Sequence, residues 1–106
     1  MKIGKLDTCD KVIIVAEIGN NHEGSIELAR KLVDQAAEAG VDAVKFQTFT
    51  TKTFVSPQDK ELFNLIKGFE LTTENFKELA IRAKNNGLQF ISTPLDMPSA
   101  VFLMEI

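Results

Sequence analysis

The sequence predicts an α/β fold with a parallel sheet, and three observations predict it. Runs of β-branched and aromatic residues recur at "KVIIVAE", "AVKFQTF" and "LQFISTP". Between them, apolar residues return every three or four positions, the spacing of a helix with one buried face. Glycine closes these helical stretches at Gly40 and Gly87, shortly before the next run begins. Strand, helix, strand in that order is a parallel βαβ unit, because parallel neighbours need a crossover and a helix is the usual one.

The first strand is expected from about Lys11 to Glu17, a continuous apolar run of the kind found where both faces of a parallel sheet are covered. Ser25 is a good N-cap for the helix "IELARKLVDQAAEAG", whose apolar stripe is Ile26, Ala29, Leu32, Val33 and Ala36. A second strand follows near Ala43 to Thr48. The stretch from Thr50 to Leu71 is too long for a simple connection and carries a short helix signal: Ser56 as cap, Pro57 at the first helical position and Asp59 completing the box. Connections of this length over a sheet are often lids or substrate contacts. The next helix, "TENFKELAIRAKNNG", places Phe76, Leu79, Ala80 and Ala83 on one stripe. "LQFISTP" is the third strand, and Ser99 to Ile106 is expected to be helical. Three parallel strands ending in an amphipathic helix leave strand edges unpaired, so the chain is expected to be the first part of a larger parallel barrel.

Composition narrows the function. The chain has 106 residues, 44% of them hydrophobic, with 12 Lys plus Arg against 15 Asp plus Glu and a formal net charge of -3. This is the makeup of a globular domain, with no basic stripe for nucleic acid. No apolar run is long enough to cross a membrane, and the start "MKIGKLDTCDK" has no signal-peptide core, so a cytoplasmic location is expected. Cys9 is the single cysteine, which removes disulfide and cysteine-metal frameworks within one chain.

The polar residues at the strand ends carry the functional signal. Side chains alternate along a strand, so Ala43, Lys45 and Gln47 share one face and Val44 and Phe46 the other. Ile13, Val15 and Glu17 share a face of the first strand, and Ser92 and Thr93 stand at the corresponding end of the third. In a parallel barrel that end is where active sites are assembled. Each residue also has a structural reading. Glu17 can pair with Lys45 or face a helix N-terminus, Lys45 can snorkel to the surface, and Ser92 and Thr93 can be ordinary strand-end residues. His22 can hold its turn as readily as touch a substrate, and Asn20, Asn21 and Gly24 suit a tight turn. The coincidence of three strands ending in polar groups at one edge favours a site.

"VAEIGNNHEGS", "AGVDAVKFQTF" and "FISTPLD" together resemble the N-terminal part of the sialic acid synthase family, the N-acetylneuraminate and legionaminate synthases. The resemblance implies a (β/α)8 TIM barrel of which this chain covers about the first three βα units, with a C-terminal antifreeze-like domain elsewhere. It implies condensation of phosphoenolpyruvate with an N-acetylated sugar aldehyde such as N-acetylmannosamine, a divalent metal (Mn²⁺ or Mg²⁺) whose ligands lie outside these residues, and a homodimer when complete. By the same likeness Glu17 matches the active-site glutamate, Lys45 the lysine that binds phosphoenolpyruvate and Thr93 the threonine near its phosphate. Gln47 and Ser92 match pocket-lining positions, and these 106 residues alone are expected to lack turnover. Two other readings stay open: a phosphoenolpyruvate-dependent synthase for another sugar acid on the same barrel, and a non-catalytic α/β binding module of the flavodoxin or receiver type.

Overall fold

The computed structural model describes residues 1–106. In chain order its elements are β1 (Lys2–Ile3), β2 (Leu6–Asp7), β3 (Val15–Gly19), α1 (Ile26–Glu38), β4 (Ala43–Thr48), α2 (Thr51–Phe54), α3 (Lys60–Phe69), α4 (Thr73–Asn85), β5 (Gln89–Pro94) and α5 (Met97–Leu103). β1 and β2 form a small antiparallel hairpin. β3, β4 and β5 pair in sequence order, parallel throughout, which is the α/β arrangement expected. No helix is long and apolar enough to cross a membrane.

One face of this sheet holds the core. Ile18, Val44, Phe46 and Leu88 meet Ala29, Val33 and Ala36 of α1 and Phe76, Leu79 and Ala83 of α4. The rings of Phe46 and Phe76 meet edge to face, 6.3 Å apart at 80°, while Phe46 stacks on Phe90 at 5.7 Å. α1 and α4 begin and stop where side chains satisfy their free backbone groups. Ser25 Oγ accepts from the Leu28 amide, Thr72 and Asn75 form a reciprocal capping box, and Gly40 and Gly87 turn the chain away at φ +81 and +77. Between the two helices run two forked ion pairs. Arg30 Nε and Nη2 donate to the carboxylate of Glu78 at 2.5 and 2.9 Å, and Arg82 does the same to Asp34 at 2.8 and 2.6 Å.

Three elements have boundaries that differ from the sequence reading, and one hairpin was absent from it. The first strand starts at Val15 and not at Lys11, because the carboxylate of Asp42 takes over the pairing there: it accepts from the Ile14 amide at 2.9 Å and from the ammonium of Lys11. Val12 and Ile14 are correspondingly open, 81% and 52% exposed, so the run is not covered on both faces within this chain. α3 starts at Lys60, three residues past Pro57. Its cap is Asp59, whose Oδ1 accepts from the Leu62 amide, while Ser56 Oγ accepts from Gln58 in a preceding turn. A carboxylate next to the helix N-terminus also meets the positive end of the dipole, which a serine does not. α5 spans Met97–Leu103 instead of Ser99 to Ile106, since Asp96 caps it by accepting from the Ser99 amide at 2.7 Å. The β1–β2 hairpin carries too short an apolar pattern to be read from sequence.

The stretch between β4 and α4 is clasped at its base. Glu70 Oε2 accepts from the amide and hydroxyl of the fully buried Thr51, at 3.0 and 2.6 Å, and from Lys67 at 3.1 Å. Burial opposes the charge on Glu70, yet these donors hold its carboxyl below the ordinary glutamate value.

Phe76 is 2% exposed and packed between the sheet and α1, so Phe76→Ala should cost about 3–5 kcal/mol. Urea unfolding of the two chains measures it, and a loss below about 1 kcal/mol would mean that this ring is not part of the core.

Candidate active site

The face of the sheet away from the helices gathers the polar residues. β3 and β4 run in register with Val15 opposite Ala43 and Glu17 opposite Lys45, after which the register slips and Gly19 pairs with Phe46. The slip is a bulge at Ile18. The Ile18 side chain lies in the core while Glu17, next to it, stays on the open face, as alternation requires. In β5, Ile91 stands opposite Lys45 and Thr93 opposite Gln47.

Glu17 Oε2 and Lys45 Nζ are 2.6 Å apart, with side chains 49% and 37% exposed. At that exposure an ion pair contributes at most about 1 kcal/mol, so its two charges remain available to a ligand. Two residues on, Gln47 Oε1 accepts from Asn20 Nδ2 at 2.9 Å, which ties the strand end to the turn after β3 and leaves the amide donors of Gln47 unengaged. Asn20 Oδ1 is buried without a partner. The half-buried Thr93 completes the row. The structure therefore brings Glu17, Lys45, Gln47 and Thr93 onto one face at the C-terminal ends of three strands.

Ser92 is not brought there. Its register partner is Phe46, so it lies on the helix side of the sheet, and its Oγ hydrogen-bonds the buried hydroxyl of Thr48 at 2.7 Å. Strand alternation already separates Ser92 from Thr93, and the expectation that both line one pocket is corrected on that ground.

His22 also lies on the helix side, 1% exposed, its ring 6.1 Å from that of Phe46. Its Nδ1 accepts from the Gly24 amide at 3.0 Å, so the neutral ring carries its proton on Nε2, a buried atom with no acceptor. Burial depresses its pKa below the ordinary histidine value. It holds the turn and does not face Glu17. No three His, Cys, Asp or Glu side chains gather as metal ligands, so these residues do not fit a site for a divalent ion.

Sequence reasoning missed Asn20 as the partner of Gln47 and the carboxylates that fix the neighbouring loops. Asp96 is one of these, accepting from the Thr50 amide at 2.6 Å; despite the opposing effect of burial, its hydrogen bonds lower its pKa. A capping carboxylate just past a strand end was the available signal for Asp96; the Asn20 contact spans 27 residues and had none.

The NeuB family profile matches residues 32–106, well over half the chain. The chain belongs to the NeuB family. Among similar proteins, an uncharacterized protein of Methanocaldococcus jannaschii is 43% identical over 88 residues, covering 83% of this chain and 26% of that one. The N,N'-diacetyllegionaminic acid synthase of Campylobacter jejuni subsp. jejuni is 36% identical over 109 residues, covering 91% and 33%. The crystal structure of an N-acetylneuraminic acid (sialic acid) synthetase from Leptospira borgpetersenii, in complex with citrate, superposes with a TM-score of 0.88 at 32% identity, over 99% of this chain and 37% of that one. The chain thus spans about a quarter to a third of the length of these curated relatives.

The neutral His22 makes stability depend on pH. Its folded pKa lies below its unfolded value of about 6.5, so its contribution is fully present above that pH and is lost as the pH falls from there through the folded value. The urea midpoint should fall between pH 7.5 and 5.5, above the range in which carboxylates titrate, and His22→Gln should flatten that slope. An equal slope in both chains would remove His22 as its source.

Proposed function

We propose that this chain supplies the phosphoenolpyruvate-binding side of a (β/α)8 barrel synthase, one that condenses phosphoenolpyruvate with an N-acetylated sugar aldehyde to give a nonulosonic acid and phosphate. The observation that carries the proposal is the convergence of the Glu17 carboxylate, the Lys45 ammonium and the Thr93 hydroxyl on one open face at the strand ends. Membership of the NeuB family and the likeness to a sialic acid synthetase support the same reading. On it, β3, β4 and β5 are the first three strands of the barrel, and the open face is its interior.

The chemistry uses each group. C3 of phosphoenolpyruvate attacks the aldehyde carbon, positive charge develops at C2, water adds there, and the tetrahedral intermediate expels phosphate. Lys45 holds the anionic substrate and Thr93 donates to its phosphate, which fixes the enol in line with the aldehyde. Glu17, already 2.6 Å from Lys45, holds that ammonium in place before the anion arrives. In the reaction its carboxylate faces the developing cation and takes the proton of the attacking water. Gln47, tied to Asn20, offers amide donors beside them. A divalent ion, Mn²⁺ or Mg²⁺, belongs to this reaction on the family likeness, and its ligands lie outside these residues. The same likeness implies a homodimer when the protein is complete.

Titration of the 106-residue chain with phosphoenolpyruvate, followed by NMR shifts of Lys45, Gln47 and Thr93, tests the binding half. Lys45→Ala should weaken affinity at least about tenfold, as loss of a charge-assisted bond does; unchanged affinity would reject the anion site. Glu17→Gln should leave that binding largely intact and abolish turnover in a complete enzyme carrying this segment. Turnover undiminished by the substitution would exclude the role given to Glu17.

A further inference from the structure

α3 has no buried residue, so no interior of its own fixes where it lies. Its C-terminal end instead rests on the turn between β3 and α1. In that turn Glu23 and Gly24 both take positive φ, +53 and +80, and the Gly24 amide is held by His22 Nδ1. A Cβ at Gly24 would stand inside contact distance of the Gly68 carbonyl oxygen, 3.1 Å from its carbon and 3.5 Å from Phe69 Cα. The obstruction is backbone and cannot rotate away. Gly40 provides a matched contrast, with φ +81 and nothing within 4 Å of the position a Cβ would take. Gly68 is equally open, at an ordinary helical position.

From these contacts we propose that Gly24 is a positioning residue, which seats α3 on the turn so that α3 and the strand-end site move as one body. The linkage continues from the turn through Asn20 to Gln47, whose strand also carries Lys45. At the same C-terminal end the residue that closes α3, Glu70, is fixed to Thr51, just past the end of β4. The C-terminal end of α3 is therefore held by two groups adjoining the site, while Phe63 and Ile66 along the rest of the helix are only half-buried. A side chain at Gly24 lifts the last turn of α3 and twists Asn20 away from Gln47. The proposal rests on the reading of the site as a phosphoenolpyruvate site only for the choice of ligand.

The test compares Gly24→Ala, Gly40→Ala and Gly68→Ala in the 106-residue chain, by hydrogen exchange of the amides of residues 60–69 and by phosphoenolpyruvate affinity. Gly24→Ala should speed α3 exchange and weaken binding, each by about fivefold or more, while Gly40→Ala stays within about twofold of the parent chain and Gly68→Ala, a helical position where alanine is the better helix former, leaves affinity within about twofold and does not speed exchange. Unaltered α3 exchange in Gly24→Ala overturns the seating, and equal effects from Gly40→Ala would assign the change to backbone strain alone. Faster α3 exchange with unchanged affinity overturns the coupling. If the parent chain itself does not bind phosphoenolpyruvate, the proposed ligand fails, whereas the exchange comparison still decides whether Gly24 seats α3. A Gly24→Ala chain that fails to fold where Gly40→Ala folds also supports the backbone contact. The coupling is then read in the parent chain, where saturating phosphoenolpyruvate should slow α3 exchange and an absence of slowing overturns it.

Discussion

The register that sets Glu17 opposite Lys45 is the constraint on which the rest of the site depends. In a parallel pair, side-chain direction alternates strictly, so a slip of one residue before Glu17 would turn its carboxylate into the apolar core. The bulge comes directly after it, at Ile18, whose side chain lies in the core on the opposite face, where alternation from Glu17 places it. Core packing on one face and charge on the other thus follow from alternation along one strand. In β5, Thr93 likewise reaches the row by plain alternation.

Around that row, backbone amides at the junctions are captured by carboxylates. Asp42 takes the Ile14 amide, Glu70 the Thr51 amide, and Asp96 the amides of both Thr50 and Ser99. Each of these acids is pulled below its ordinary pKa, Asp42 chiefly by the Ile14 amide and then by Lys11. Charged acceptors suit such places, because loops that cross strand ends leave donors that no ladder can satisfy. Two of the three acids fix Thr50 and Thr51, where the chain leaves β4 just beyond the site residues of that strand.

Much of this was legible before any coordinates. Local patterns gave the three strands, α1 with its Ser25 cap, α4 with its closing glycine, and the common face of Lys45 and Gln47, because these depend on residues within one turn or one strand. What stayed hidden depended on distant partners. The late start of β3 follows from Asp42, some thirty residues away, and the cap of α3 was misread because Ser56-Pro57 and Asp59 compete as openings and only the docked chain decides between them. Ser92 was grouped with Thr93 by sequence adjacency, although adjacent residues in a strand face opposite ways. Gly24 was read as a turn glycine, and the nearness of the Gly68 backbone has no signature in either segment.

The two arginine forks between α1 and α4 also do more than attach one helix to the other. Both join residues 48 apart, but with signs exchanged: cation on α1 and anion on α4 in the first, the reverse in the second. Sliding α4 one turn in one direction would bring Arg82 against Arg30; sliding it the other way would bring Glu78 against Asp34. Either error confronts like charges, so the alternation works as a keyed lock that admits a single longitudinal alignment of the helices, and with it a single height for the strand ends that they carry.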